Sequence, residues 1–223
     1  MKNLLLLSLF VSSLFAGGGG DILRANFLAD SFEYQFNDEK TLYWDTSAYI
    51  GYDANKIYIY SEGEKPQDSQ ASSENQIMLS HAITPFWDVQ AGVDYDSTPN
   101  ANKTWGVVAI QGLAPYFFET RVALLVADDG ALGVRIDADY EALITQKLIL
   151  TPRFTLDAYS QDDISMGYGS GVSNITLGAR LRYEIRREFA PYIGVEWAKN
   201  FGLTQTLAPL NSAYGVAGIR FWF

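Results

Sequence analysis

Segments of about ten residues in which apolar and polar side chains alternate recur from residue 28 to the C-terminus, and this period of two constrains the fold most strongly. Each such segment reads as a strand with one apolar and one polar face. Twelve can be delimited: 28–36, 42–52, 56–63, 75–83, 85–96, 103–113, 116–127, 131–143, 147–159, 172–185, 189–199 and 214–223. Each is long enough to cross a bilayer as a tilted strand. A membrane helix needs about 20 apolar residues in a row, and the sequence has no such run, so a membrane location requires strands.

The connections alternate as well. After even-numbered segments they are tight, at 53–55, 84–85, 114–115, 145–146 and 186–188. After odd-numbered segments they are mostly longer and polar, at 64–74, 97–102, 160–171 and 200–213. Short turns at one end and long loops at the other are the pattern of an outer-membrane barrel, and they put both termini on the periplasmic side. A soluble sandwich shows no such asymmetry. The expected fold is therefore an all-β, transmembrane, antiparallel up-and-down β-barrel over 27–223. Two external loops, 37–40 and 128–130, are short, which leaves ten strands open as an alternative to twelve.

Both ends of the chain fit export to a Gram-negative outer membrane. Lys2, an apolar stretch over 4–15 and the small residues from Ala16 to Gly20 read as a signal peptide at 1–16, followed by a short segment at 17–26. At the other end the last alternating run closes on Phe221, Trp222 and Phe223, with Phe221 and Phe223 expected to form the signal read by the barrel-assembly machinery. The sequence has no cysteine, which removes disulfides and thiolate metal sites together.

Hydrophobic residues make up 48% of the chain, yet the mean hydropathy is −0.03, because polar residues are interleaved with apolar ones. The 26 acidic side chains outnumber the 16 basic ones, which disfavours nucleic acid as a partner and favours cations. In the tenth segment Ile175, Leu177, Ala179, Leu181, Tyr183 and Ile185 share one face while Asn174, Thr176, Arg180, Arg182 and Glu184 share the other. The first face is expected toward lipid and the second toward the lumen. The same parity sends inward a set comprising Glu119, Arg121, Arg135, Asp137, Asp139, Arg153, Asp157, Arg180, Arg182, Glu184, Glu196 and Arg220. Two readings are open: a cross-strand salt-bridge lattice that narrows the bore, favoured by the mixed signs, or a selectivity path for ions.

Aromatic residues near the segment ends are expected to form interfacial girdles, with Tyr52, Phe86, Trp87, Tyr116, Phe117, Tyr140, Phe189 and Phe223 at one rim. Trp44, Tyr95, Trp105 and Trp197 would form the other. The outer rim is expected to be acidic, with Asp38, Glu39, Glu62, Glu64, Asp68, Glu74, Asp94, Asp96, Asp128, Asp129, Asp162 and Asp163. Such a rim would concentrate cations, whether as a metal-capturing surface or through the divalent ions that bridge lipopolysaccharide.

Several stretches resemble the copper resistance protein B family of outer-membrane barrels: SEGE (61–64), PFWDVQAGVDYD (85–96), IQGLAPYFFE (110–119), QKLILTPR (146–153), GSGVS (169–173) and RLRYEIRREFAPYIGVEW (180–197). The resemblance runs from about Trp44 to the end of the chain. It implies an outer-membrane protein of copper homeostasis, not an enzyme, that binds copper ions or passes them. It also implies a periplasmic copper-handling partner, with the lipid bilayer and lipopolysaccharide as surroundings. Family members commonly carry a methionine- and histidine-rich segment between leader and barrel, whereas 17–26 contains neither residue type.

Copper(I) prefers thioether or thiolate donors and copper(II) prefers imidazole, so the metal candidates reduce to Met78, His81 and Met166. Met78 is expected in the lumen, His81 outward near the periplasmic rim, and Met166 in an external loop. Ser80 and His81 cannot act as nucleophile and base, because neighbours on a strand face opposite sides. A general small-solute or cation channel, and less favourably an outer-membrane hydrolase, remain as alternatives.

Overall fold

A computed structural model describes residues 22–223, so the signal peptide expected at 1–16 and the first part of the 17–26 segment lie outside the described residues. The strands are β1 (Arg24–Gln35), β2 (Thr41–Gly51), β3 (Asn55–Lys65), β4 (Ser72–Thr84), β5 (Trp87–Ser97) and β6 (Asn102–Ala114). They continue as β7 (Phe118–Ala127), β8 (Leu132–Tyr140), β9 (Leu148–Tyr159), β10 (Gly171–Tyr183), β11 (Phe189–Asn200) and β12 (Asn211–Trp222). A two-residue piece, Ala142–Leu143, continues β8 beyond Glu141 and pairs with the same neighbour, β9. Neighbours in sequence pair antiparallel, and β1 pairs with β12, with Leu28 opposite Trp222, which closes the sheet into a barrel of 12 strands. Closure leaves no unpaired edge, as a structure immersed in lipid requires.

The short connections and both described ends of the chain lie at one mouth, and the longer loops at the other. Both loops that left the strand count open are real, because each closes through its own side chains. Asn37 Oδ1 accepts from the Thr41 N–H at 3.2 Å, and Asp129 Oδ1 accepts from the Ala131 N–H at 2.9 Å. Gly130 supplies the left-handed backbone the second turn needs, with φ +82°. The long connection expected at 200–213 contains a short helix, α1 (Gly202–Leu207), and β12 starts earlier than the alternation indicated.

Outward residues form an apolar belt in contact with the bilayer. Val93, Val108, Leu124, Ile193 and Val195 are all exposed on the outer wall, while their strand neighbours Asp94, Val107, Ala123 and Leu125 are buried. The barrel interior is not uniform. Met78, Trp105, Val107, Ala109, Ala123, Leu125 and Tyr159 pack into an apolar cluster against one side. The rest of the interior, including the short-turn ends of the same strands, is lined by charges.

The girdle expectation fails for Trp105. It is fully buried inside the barrel, its Nε1 donates to Asp96 Oδ2 at 2.7 Å, and its ring packs 5.9 Å from Tyr159. A residue from the external loop between β9 and β10, Tyr168, stacks on Tyr159 with ring centroids 3.9 Å apart. That loop is tied to the barrel by Lys103, whose Nζ lies 2.9 Å from both Asp129 and Asp163. Thr204 of α1 knits the same region together, accepting from the Gly169 N–H at 2.8 Å.

Candidate functional site

The charged lumen is built on arginines projecting from β8, β9, β10 and β12. Arg135 on β8 is buried and faces four carboxylates. It donates to Asp94 at 2.5 Å and to Asp96 at 2.7 Å, and it lies 2.8 Å from Glu74 and 3.9 Å from Asp157. Burying a charge is tolerable only with close partners, and here one guanidinium offsets several acids at once. Glu74, Asp94 and Asp96 bring carboxylate oxygens within 4.8 Å of one another, the spacing of a hard-cation site. One oxygen of each acid pairs with Arg135, while Asp94 Oδ1 and Asp96 Oδ1 are buried without a hydrogen-bond partner among the described residues.

A second group centres on Arg180 of β10. Its Nε donates to Glu33 Oε2 at 2.9 Å and its Nη2 to Glu33 Oε1 at 2.8 Å, a bidentate pair, and Nη2 also reaches Glu196 at 2.7 Å. Tyr192 donates to Glu33 at 2.9 Å and Tyr214 to Glu196 at 2.6 Å, so each acid has further donors. Toward the short-turn mouth, Arg182 pairs with Glu141 at 2.7 Å and Arg220 with Asp30 at 2.7 Å. Arg153 of β9 pairs with Asp45 across the lumen. Arg121 makes no carboxylate pair among the described residues; it donates to Gln76 and lies 4.8 Å over the Tyr60 ring.

These groups surround a cavity of about 380 Å³. Its lining carries Asp30, Asp45, Glu62, Glu74, Glu119, Asp137, Asp139 and Glu141 against Arg121, Arg153, Arg180, Arg182 and Arg220, so 8 acids face 5 guanidiniums. Among the described residues, Glu119, Asp137 and Asp139 make no ion pair within 4.0 Å. The chamber therefore combines a salt-bridge lattice with an excess of carboxylates over guanidiniums.

Residues 23–223 match the family model described as copper resistance protein B precursor. A copper resistance protein B from Escherichia coli is 41% identical over 202 residues, covering 88% of this chain and 68% of the relative. The chain belongs to the copper resistance protein B family. A copper resistance protein B homolog from Pseudomonas syringae pv. tomato is 38% identical, covering 90% of this chain and 70% of the relative. In structure the chain is similar to the NanC porin, with a TM-score of 0.58 over 89% of this chain and 99% of that one, at 13% identity. Family and architecture together make it a non-enzymatic barrel of the Gram-negative outer membrane.

Within this family barrel, the inward set read from the sequence is only partly self-paired. Arg135 with Asp157, Arg180 with Glu196 and Arg182 with Glu184 at 3.6 Å are pairs internal to it. Arg153 and Arg220 instead find Asp45 and Asp30, which the alternation did not assign to the lumen. Glu33 and Glu141 were missed as well. Four acids assigned to the outer rim, Glu62, Glu74, Asp94 and Asp96, belong to the lumen: Glu62 and Glu74 line the chamber, and Asp94 and Asp96 are buried against Arg135.

The three copper candidates do not converge. Met78 is fully buried inside the apolar cluster, and Met166 packs against that cluster from the external loop. His81 is exposed on the outer wall, its Nδ1 2.8 Å from Asn55 Oδ1. Ser80 turns the other way and donates to Asp88 at 3.0 Å. At the C-terminus Phe221 and Phe223 gather around Phe27, with ring centroids 6.1 Å and 5.1 Å away.

Proposed function

We propose that this barrel passes copper ions, as cargo, across the outer membrane in copper resistance. The observation that carries the reading is the chamber lining, in which 8 carboxylates face 5 guanidiniums inside a barrel of this family. Conduction requires binding favourable enough to enter and weak enough to leave. Carboxylate oxygens are weak copper donors compared with thioether or imidazole groups, and the dispersed Met78, His81 and Met166 leave the chamber without a converging soft site. Such a lining supports passage over retention. In this reading the outer rim meets lipopolysaccharide, the short-turn mouth faces a periplasmic copper-handling protein, and Phe221 and Phe223 present the assembly signal.

A second reading, a general cation channel, is favoured by the same oxygen-rich lining, because hard carboxylates do not single out copper. Flux through purified protein in liposomes separates the two. Passage of copper(II) faster than magnesium or sodium supports the copper assignment. Equal rates for all three would leave only the general channel.

A further inference from the structure

The lumen holds a second, smaller cavity of about 170 Å³ at the external mouth, lined among others by Asp96, Asp157, Tyr159, Met166 and Tyr168. Among the described residues only one side chain lines both this vestibule and the inner chamber, and it is Glu74 of β4. Beside the vestibule lie the packed rings of Trp105 and Tyr159, 5.9 Å apart, and the Arg135 group, with Asp96 and Tyr159 forming part of its lining.

The members of that group differ in freedom. Arg135 is 6% exposed at its side chain and is gripped by Asp94 at 0% and Asp96 at 7%, with Trp105 donating to Asp96 in turn. The Glu74 side chain is 38% exposed and, among the described residues, makes one ion pair, at 2.8 Å with Arg135. The guanidinium is thus a fixed post, and Glu74 is a carboxylate that can turn away from it while Asp94 and Asp96 continue to neutralise the arginine.

We propose that Glu74 hands cations over between vestibule and chamber, and that its ion pair with Arg135 is the resting state with which an arriving cation competes. The proposal rests on the reading of the lumen as a cation path and assigns its selectivity-determining residue. A cation in the vestibule offers Glu74 a second positive partner. Once Glu74 swings toward it, the ion is passed to the chamber, where Glu62, Asp137 and Asp139 take up the charge. Removal of the Glu74 charge takes away the one carboxylate among the described residues that vestibule and chamber share, so the preference for cations over anions weakens at the hand-over point.

The test is the reversal potential of the purified barrel in planar bilayers under a salt gradient, for wild type, E74Q, E74A and E74D. Folding of each variant is checked by its mobility shift on boiling. E74Q keeps the shape and loses the charge, and its cation-over-anion permeability ratio should fall about five- to tenfold, with E74A falling alike. E74D keeps the charge and should stay near wild type. A wild-type ratio in E74Q, or a conductance gain in E74A without any change in selectivity, would overturn the assignment by showing a bystander or a plain steric plug. If the wild type itself passes no cations, the cation-path reading falls; if it passes them and E74Q matches it, only the role of Glu74 falls.

Discussion

The two sides of this lumen are made by the same alternating strands and have opposite characters. In the parts of β6 and β7 nearer the long loops the inward positions are Trp105, Val107, Ala109, Ala123 and Leu125, which pack into the apolar cluster. Nearer the short-turn mouth Gln111, Glu119 and Arg121 of the same two strands join arginines and acids of β1 to β4 and β8 to β12 around an open chamber. The difference shows that alternation fixes which side chains face inward, while their size and charge decide whether the bore is filled or conductive. In the filled side a polar group must be satisfied by its neighbours. In the open region the chamber leaves space beside acids such as Asp137 and Asp139, which make no ion pair within 4.0 Å among the described residues.

The contrast is broken most severely at Arg135, where the two sides meet. Arg135→Ala strands the buried Asp94 and Asp96, and should cost about 3–5 kcal/mol, read as a lower midpoint in denaturant or loss of the heat-modifiable band. Trp105→Phe keeps much of the ring but removes the donor to Asp96, with an expected loss of about 1–3 kcal/mol in the same assay. On the open side, Asp139→Asn and Glu119→Gln should shift stability by no more than about 0.5 kcal/mol, because neither makes an ion pair. They should nonetheless reduce cation selectivity in bilayer recordings. Destabilisation there as large as at Arg135 would erase the distinction between the two sides.

The smallest effect is expected at the external clasp. Asp129 is held below the ordinary carboxylate value because the Ala131 N–H and Lys103 donate to it. For Asp163 burial pushes upward, but Ser165, Lys103 and the Met166 N–H outweigh it and leave a lowered value. A depressed folded value means that the contribution is complete above the ordinary 3.8 and is lost as pH falls through the folded value. Hydrogen exchange in loop 160–170 should therefore be flat from neutral pH down to about 4 after correction for intrinsic rates, and rise only below that. A rise already at pH 6 would show that these acids do not hold the loop.

Much of the barrel was legible because its signals are local. The tight turns expected at 84–85 and 114–115 fall at 85–86 and 115–117, each opening on a proline, and the split of Arg180 and Arg182 from Leu181 and Tyr183 follows from period two. The lumen network was legible only where charge marked the parity. Trp105 was misread because β6 offers apolar residues on both faces, Val107 inward and Val108 outward, so alternation gives no parity there. Asp30 and Glu33 escaped for another reason. The register of β1 shifts between Ala29 and Ser31, and the bulge lets residues of both parities reach the interior. Asp94 and Asp96 lie close to a strand end, where a sequence cannot tell a loop acid from a lumen acid. The partners of Arg153 and Arg180 come from strands far apart in the chain, and such pairings depend on barrel closure.

The central claim is that the chamber favours cations, and wild-type ion selectivity tests it most directly. Purified protein in a planar bilayer under a copper(II) gradient should give a reversal potential of the sign set by cation flow, with copper carried faster than magnesium. A potential of the opposite sign, or no conductance through demonstrably folded barrels, would contradict the account.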